Sequence, residues 1–116
     1  MDVKRFYEET GSNYQTALSI MMNDVLIERM LKMFMEKNAY RAIIEAYKAN
    51  NIKEVFLSAH ALKGVAGNLA LTKLYEIVCQ LTEATRDKEE ASIDNEIEKL
   101  KTQYQLIEEK YKSLVG

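Results

Sequence analysis

Apolar residues recur along most of this chain at spacings of three and four, the period of a helix buried along one side. The firmest instance is C-terminal, where Ile93, Ile97, Leu100, Tyr104, Ile107, Tyr111 and Leu114 are spaced 4, 3, 4, 3, 4, 3. Glu and Lys flank this seam, which predicts a helix over about residues 92–114. Upstream, Asn, Ser, Thr and a few Gly mark the breaks. Residues 2–9 predict a short arm helix that ends before Gly11. Ser12 followed by Gln15 reads as a capping box that opens a helix to about Met21. Asn23–Asp24 caps a segment from Val25 to about Lys37, in which Leu26, Met30, Met33 (or Phe34) and Lys37 keep the helical period. Ile27 and Leu31 widen that stripe.

Asn38 marks a bend or a new cap before a helix over 39–49, whose Ile43, Ile44 and Tyr47 share a face. Asn50–Asn51 is the clearest turn. Asn51, with Glu54 three residues later, caps a helix that runs to about Leu69. Thr72 caps the next, from Lys73 to Arg86, and the charged stretch 87–91 predicts a loop. Loops interrupt the apolar pattern too often for one long coiled coil. The expectation is an all-α antiparallel helical bundle with short connections.

Composition narrows this further. The chain has 116 residues, no Pro and four Gly, and 47% of it is hydrophobic. A β-sandwich or barrel would need many Gly- and Pro-rich turns, which this composition does not supply. The length suits one domain over 1–116. Sixteen Lys and Arg against eighteen Asp and Glu leave a net charge of -2, unlike the basic footprint of a nucleic-acid binder. One His and one Cys, Cys79, are too few for a structural zinc site or an internal disulfide. No apolar run approaches the roughly 18 residues of a membrane span, and no signal peptide is evident in MDVKRFYEET. A soluble cytoplasmic protein is the expectation. The cluster Met21, Met22, Met30, Met33 and Met35 is expected to fill the core.

One helix departs from the economy of the rest. At about 100° per residue, Ile52, Val55, Phe56, Ala59, Leu62, Ala66 and Leu69 form a core arc of roughly 140°. Lys53, Leu57, His60, Gly64 and Gly67 fall in a separate arc about 80° wide, so the single histidine projects outward. Each helical glycine costs about 0.5–1 kcal/mol relative to Ala, and two of them stand one and two turns beyond that histidine. Missing side chains beside an exposed imidazole leave an open approach for something large, and Leu57 extends that surface. Lys63 lies between the two arcs, one turn after His60, within reach of an anion held there. This suits covalent carriage of phosphate. A neutral imidazole is a good nucleophile near pH 7, and a phosphoryl group on it needs a cationic neighbour and space. Phosphoryl transfer asks mainly for positioning and charge neutralisation, so a chain of this kind carries the group and its partner supplies catalysis.

The segment Ala59-His60-Ala61-Leu62-Lys63-Gly64-Val65-Ala66-Gly67-Asn68-Leu69 resembles the H-x-L-K-G-x-x-x-x-L/I signature of histidine-containing phosphotransfer (HPt) domains of multistep phosphorelays. Downstream, Leu71, Leu74, Cys79, Leu81, Glu83 and Arg86 resemble the family's following helix; upstream, Met22-Asn23-Asp24 with Leu31 and Phe34 resembles its N-terminal segment. The likeness covers about residues 12–112. One departure is Ala70, where the family commonly has Gly, and it bears on the local loop geometry. The resemblance implies a four-helix bundle, here about 39–50, 52–69, 72–86 and 92–114, capped by N-terminal helices within about 2–37. It implies that His60 accepts a phosphoryl group from the phospho-aspartate of one receiver domain and passes it to another. Lys63 would stabilise the phosphate and Gly64 would leave room for the receiver. Arg86 and Thr82 line up with family positions near the site. Any Mg²⁺ would belong to the receiver, so no cofactor is expected on this chain, and a monomer is expected.

Other readings compete. A histidine-kinase dimerisation domain typically follows its His with an acidic residue and a Pro; here Ala61 follows His60, and no Gly-rich nucleotide loop exists. A helical adaptor that no longer carries phosphate is countered by the intact His-x-x-Lys-Gly. A small enzyme using His60 as a general base would need an orienting carboxylate, and nothing in the sequence places Glu54, Glu76 or Glu83 as one. The span from Met1 to Gly116 fits a free-standing carrier, with a domain excised from a hybrid kinase as the alternative.

Overall fold

Short polar side chains start the helices, because the first backbone N–H groups of a helix have no partner within it. Asp2, Asn13, Asn23 and Asn51 each accept a hydrogen bond from the N–H three residues on, at 2.8, 3.0, 2.9 and 3.2 Å. A computed structural model describes residues 1–37, 39–86 and 93–116, and among these it contains seven α-helices and no strand. They are α1 (Val3–Glu9), α2 (Tyr14–Met21), α3 (Asp24–Lys37), α4 (Ala39–Lys48), α5 (Ile52–Asn68), α6 (Thr72–Arg86) and α7 (Ile93–Val115). The break expected at Asn38 and the loop expected at 87–91 lie outside the described residues.

Two local expectations shift by a residue. Asn13 rather than Ser12 caps α2; the Ser12 hydroxyl is taken up by Thr10 Oγ1 at 2.9 Å. Thr72 is already helical, and its hydroxyl donates back to the Ala70 carbonyl at 3.3 Å. Helix ends show a related economy. Asn50 (φ +56°) and Ala70 (φ +55°) hold the left-handed conformation that usually takes Gly after a helix. At the end of α5, Ala70 N–H donates to Gly67 O and Leu71 N–H to Ala66 O; at the end of α4, Asn50 N–H donates to Tyr47 O and Asn51 N–H to Ala46 O. Both are Schellman pairs, which satisfy carbonyls that the helix leaves open.

Helix α4 packs on α5, α5 on α6 and α6 on α7. The ring closes through Tyr40, stacked on Tyr104 at 3.9 Å between centroids, and through the Tyr47 hydroxyl donating to the Asp94 carboxylate. The start of α4 thus meets the middle of α7 and its end meets the beginning of α7, an antiparallel pairing. The core is contributed by one face of each helix, including Ile43, Val55, Ala59, Leu62, Leu74, Leu81, Ile97, Leu100 and Ile107. Tyr111 and Leu114 extend the C-terminal seam but are only partly covered.

The N-terminal helices are more than an arm. Phe6 and Tyr7 of α1 are fully buried. The Tyr7 hydroxyl donates to the Leu69 carbonyl at the end of α5 (2.7 Å), and Gln103 Nε2 of α7 donates to the Thr10 carbonyl (2.7 Å). Backbone bonds from Asn13 N–H to Ala70 O and from Lys73 N–H to Gly11 O complete the fastening. Segment 7–13 therefore anchors the turn that ends α5. In α3 the buried stripe is Ile27, Leu31 and Phe34, whereas Leu26 and Met30 are partly covered and Met33 is exposed. The methionines accordingly divide. Met21 is core, Met30 and Met35 pack against it, and Met22 and Met33 face solvent.

Candidate functional site

Helix α5 carries the candidate site, and its sequence explains how. Val55, Ala59, Leu62 and Ala66 are its buried residues, a stripe that fixes its rotation and leaves His60 exposed. Among the described residues no hydrogen bond engages the imidazole; its neighbour is the Phe56 ring, 6.2 Å between centroids and 21° from parallel. Lys63 is half-buried one turn on, on the flank of α5 that faces α6. Its charge also acts on Glu83 of α6, whose carboxyl is held below the usual range first by a hydrogen bond from Arg86 and then by the charges of Arg86 and Lys63. A methyl group at Gly64 would meet nothing within 4 Å, so the surface beside His60 is open. Leu57, at 50% exposure, stands on the same outward arc.

Two expected members behave differently. Gly67 is exposed, yet a methyl there would lie 3.2 Å from Cε1 and 3.3 Å from Cδ1 of Tyr75. Its missing side chain seats a ring of α6, so packing accounts for it rather than open approach. Thr82 is fully buried and its hydroxyl donates to the Val78 carbonyl at 2.8 Å, the ordinary habit of a helical Thr. That hydroxyl is spent within α6 and faces no solvent. Arg86 is exposed at the end of α6, paired with Glu83 (3.0 and 3.3 Å), and its Cζ lies 5.5 Å from the centre of the Phe56 ring.

Counting about 100° per residue from His60, the two flanks of α5 differ in chemistry. Phe56 and Lys63 lie on the flank toward α6, with Arg86 and Glu83 opposite. Ala61 and Val65 lie on the other flank, which borders an apolar cleft of about 560 Å³ between α5 and the α2–α3 pair. Ile20, Met30 and Met33 line its far wall, and Ile20 and Met33 are about half-exposed. His60 thus stands on a ridge with a charged side and an apolar side.

Reasoning from sequence missed both the cleft and the position of Phe56. Phe56 falls within the apolar arc of α5, but it also precedes His60 by four residues, the spacing at which helical side chains meet. That spacing was the available signal. The cleft had none, since it depends on how α2 and α3 dock.

The Hpt domain family matches residues 29–110 of the chain. The chain belongs to that family. The matched range opens within α3 and closes within α7, and it takes in His60, Lys63 and Gly64 as well as the whole of α4, α5 and α6. Helices α1 and α2 of this Hpt domain lie before it. Searches of curated proteins and of solved structures gave no match to the chain. An Hpt domain is a phosphocarrier module of two-component phosphorelays. Among the described residues no helix is long and apolar enough to cross a membrane, and no group of three or more His, Cys, Asp or Glu is placed to hold a metal ion.

Proposed function

We propose that this Hpt domain relays a phosphoryl group between receiver domains in the cytoplasm through a phosphohistidine at His60. The observation that carries the reading is the exposed imidazole with Lys63 one turn on and empty space above Gly64. In the forward step an unprotonated imidazole nitrogen attacks the phosphorus of a receiver's aspartyl phosphate. The N–P bond forms as the acyl P–O bond breaks, and the receiver's aspartate leaves as a carboxylate. The ring then carries the phosphoryl group, and the proton on its other nitrogen exchanges with solvent. In the onward step a second receiver's carboxylate attacks the same phosphorus and the N–P bond breaks. Lys63 offsets the charge of the carried group, which is close to two negative charges at neutral pH. The receiver supplies any Mg²⁺ the transfer needs.

The receiver itself must approach within bonding distance, which requires a docking surface around the nucleophile. The apolar cleft beside Ala61 and Val65, continued by Leu57, supports that role, since exposed apolar surface of this kind marks interaction sites. The test is incubation of wild type and His60→Gln with a phosphorylated receiver. Acid-labile, base-stable label on the wild type and none on the variant is expected. Equal labelling of the two proteins defeats the reading.

A further inference from the structure

Phe56 has an uncommon situation for a residue of a helix's apolar arc. It is only half-buried, and among the described residues its ring stacks on His60 of its own helix and lies under the Arg86 guanidinium of α6. The Phe56–His60 separation of 6.2 Å lies within the range of about 4.5–7 Å over which aromatic rings interact, and the 21° tilt makes it an offset stack. The Arg86 distance of 5.5 Å lies within the roughly 6 Å reach of a cation–π contact. Arg86 is itself gripped through both Nε and a terminal nitrogen by Glu83, a forked geometry that fixes the guanidinium plane. Glu83, Arg86, Phe56 and His60 therefore form a continuous series from α6 to α5.

We propose that Phe56 is a positioning residue for His60: its ring holds the imidazole orientation and ties it to the Arg86–Glu83 pair. The inference rests on the phosphotransfer reading of His60 for its consequence, but its geometry does not. An exposed histidine on a helix has several accessible orientations. A ring fixed on the α6 side removes those that would sweep through it, so less reorientation remains when the receiver's phosphorus arrives. Arg86 lies against the same ring and is paired with Glu83 through both Nε and a terminal nitrogen. Packing and positioning are separable here, because an aliphatic side chain would fill the same half-buried place without offering a ring face to either polar group.

The test compares Phe56→Leu, which keeps an apolar side chain and loses the ring, with Phe56→Tyr, which keeps the ring. Because His60 is the sole histidine, its imidazole proton and nitrogen signals are assigned without ambiguity. In the unphosphorylated protein, Phe56→Leu is expected to move those signals by loss of the ring current, while Phe56→Tyr leaves them near wild type. Circular dichroism confirms that both variants keep their helices. The transfer rate constant at saturating phosphorylated receiver is expected to fall about tenfold in Phe56→Leu, as positioning losses do, with half-saturation unchanged, and to recover to within about twofold in Phe56→Tyr. Unmoved imidazole signals in Phe56→Leu overturn the proposal, as does a loss that lies only in receiver affinity or one that Tyr fails to rescue. Should the wild type itself accept no phosphate, the function reading fails, and the imidazole signals alone decide the positioning claim.

Discussion

Replacing Gly64 should make this Hpt domain more stable and less active at once. The position is interior to α5 and has an ordinary helical backbone, so glycine there costs about 0.5–1 kcal/mol relative to Ala. An added methyl meets nothing within 4 Å, so no clash offsets the gain. For a chain of 116 residues, 1 kcal/mol corresponds to roughly 3–5 °C in Tm, so Gly64→Ala should raise Tm by about 2–4 °C. Gly67→Ala is the internal control. Its methyl would press on Tyr75 at 3.2 Å, so most of the propensity gain is lost there and Tm should move by less than about 2 °C. Thermal unfolding of the three proteins reads the stability half. For the functional half, Gly64→Gln, whose side chain fills the open approach, should slow phosphoryl transfer from a receiver by roughly 10- to 100-fold, the scale of a displaced reaction partner. A fall in Tm on Gly64→Ala, or unchanged transfer in a folded Gly64→Gln, would refute the claim that this glycine is kept for access.

The remaining predictions concern the frame around the site. Tyr7→Phe deletes a buried hydroxyl and leaves the Leu69 carbonyl without its partner, which should cost about 1–3 kcal/mol in denaturant unfolding; unchanged stability would show that the N-terminal fastening is idle. Ala70 sits at φ +55°, where an L-residue is strained by about 1–2 kcal/mol, so Ala70→Gly should be neutral or stabilising, whereas Ala66→Gly, buried inside α5, should cost at least about 1 kcal/mol. Equal losses at both positions would contradict this. Glu9 of α1 bonds Lys110 of α7 at 2.9 Å and also pairs with Arg5, and these contacts hold its carboxyl below the ordinary value of 4.5. Because the folded value is the lower one, its stabilisation is full above about pH 4.5 and is lost as pH falls through the folded value. Unfolding midpoints of wild type and Glu9→Gln should therefore converge on acidification; a gap that widens as pH falls would have the sign wrong.

Much of this was legible in the chain because helices announce themselves by period and by caps. The 4, 3, 4, 3 seam of α7 and the Asn51–Glu54 cap of α5 rest on neighbouring residues alone, and both stand in the structure. The same holds for the outward placement of His60, which depends only on rotation about α5. Features set by packing between helices were harder to see. In α3 the residues expected only to widen the stripe, Ile27 and Leu31, are its buried centre together with Phe34, the alternative to Met33, while Leu26, Met30 and Met33 border the cleft. Gly67 shares the arc of His60, yet the answering residue is Tyr75 on another helix. Thr82 matched by alignment of positions, while its hydroxyl is taken by its own helix. Phe56 carries both signals, apolar arc and four-residue spacing to His60, and only its half-exposure decides between them.

Everything proposed for this site turns on whether His60 holds the phosphoryl group in transit. The most direct measurement charges the wild-type chain from a phosphorylated receiver, isolates it, maps the label, and then adds an unphosphorylated second receiver. Acid-labile phosphate is expected on the peptide that contains His60, followed by its departure to the second receiver's aspartate. Label on any other residue, or label retained by His60→Gln, would contradict it.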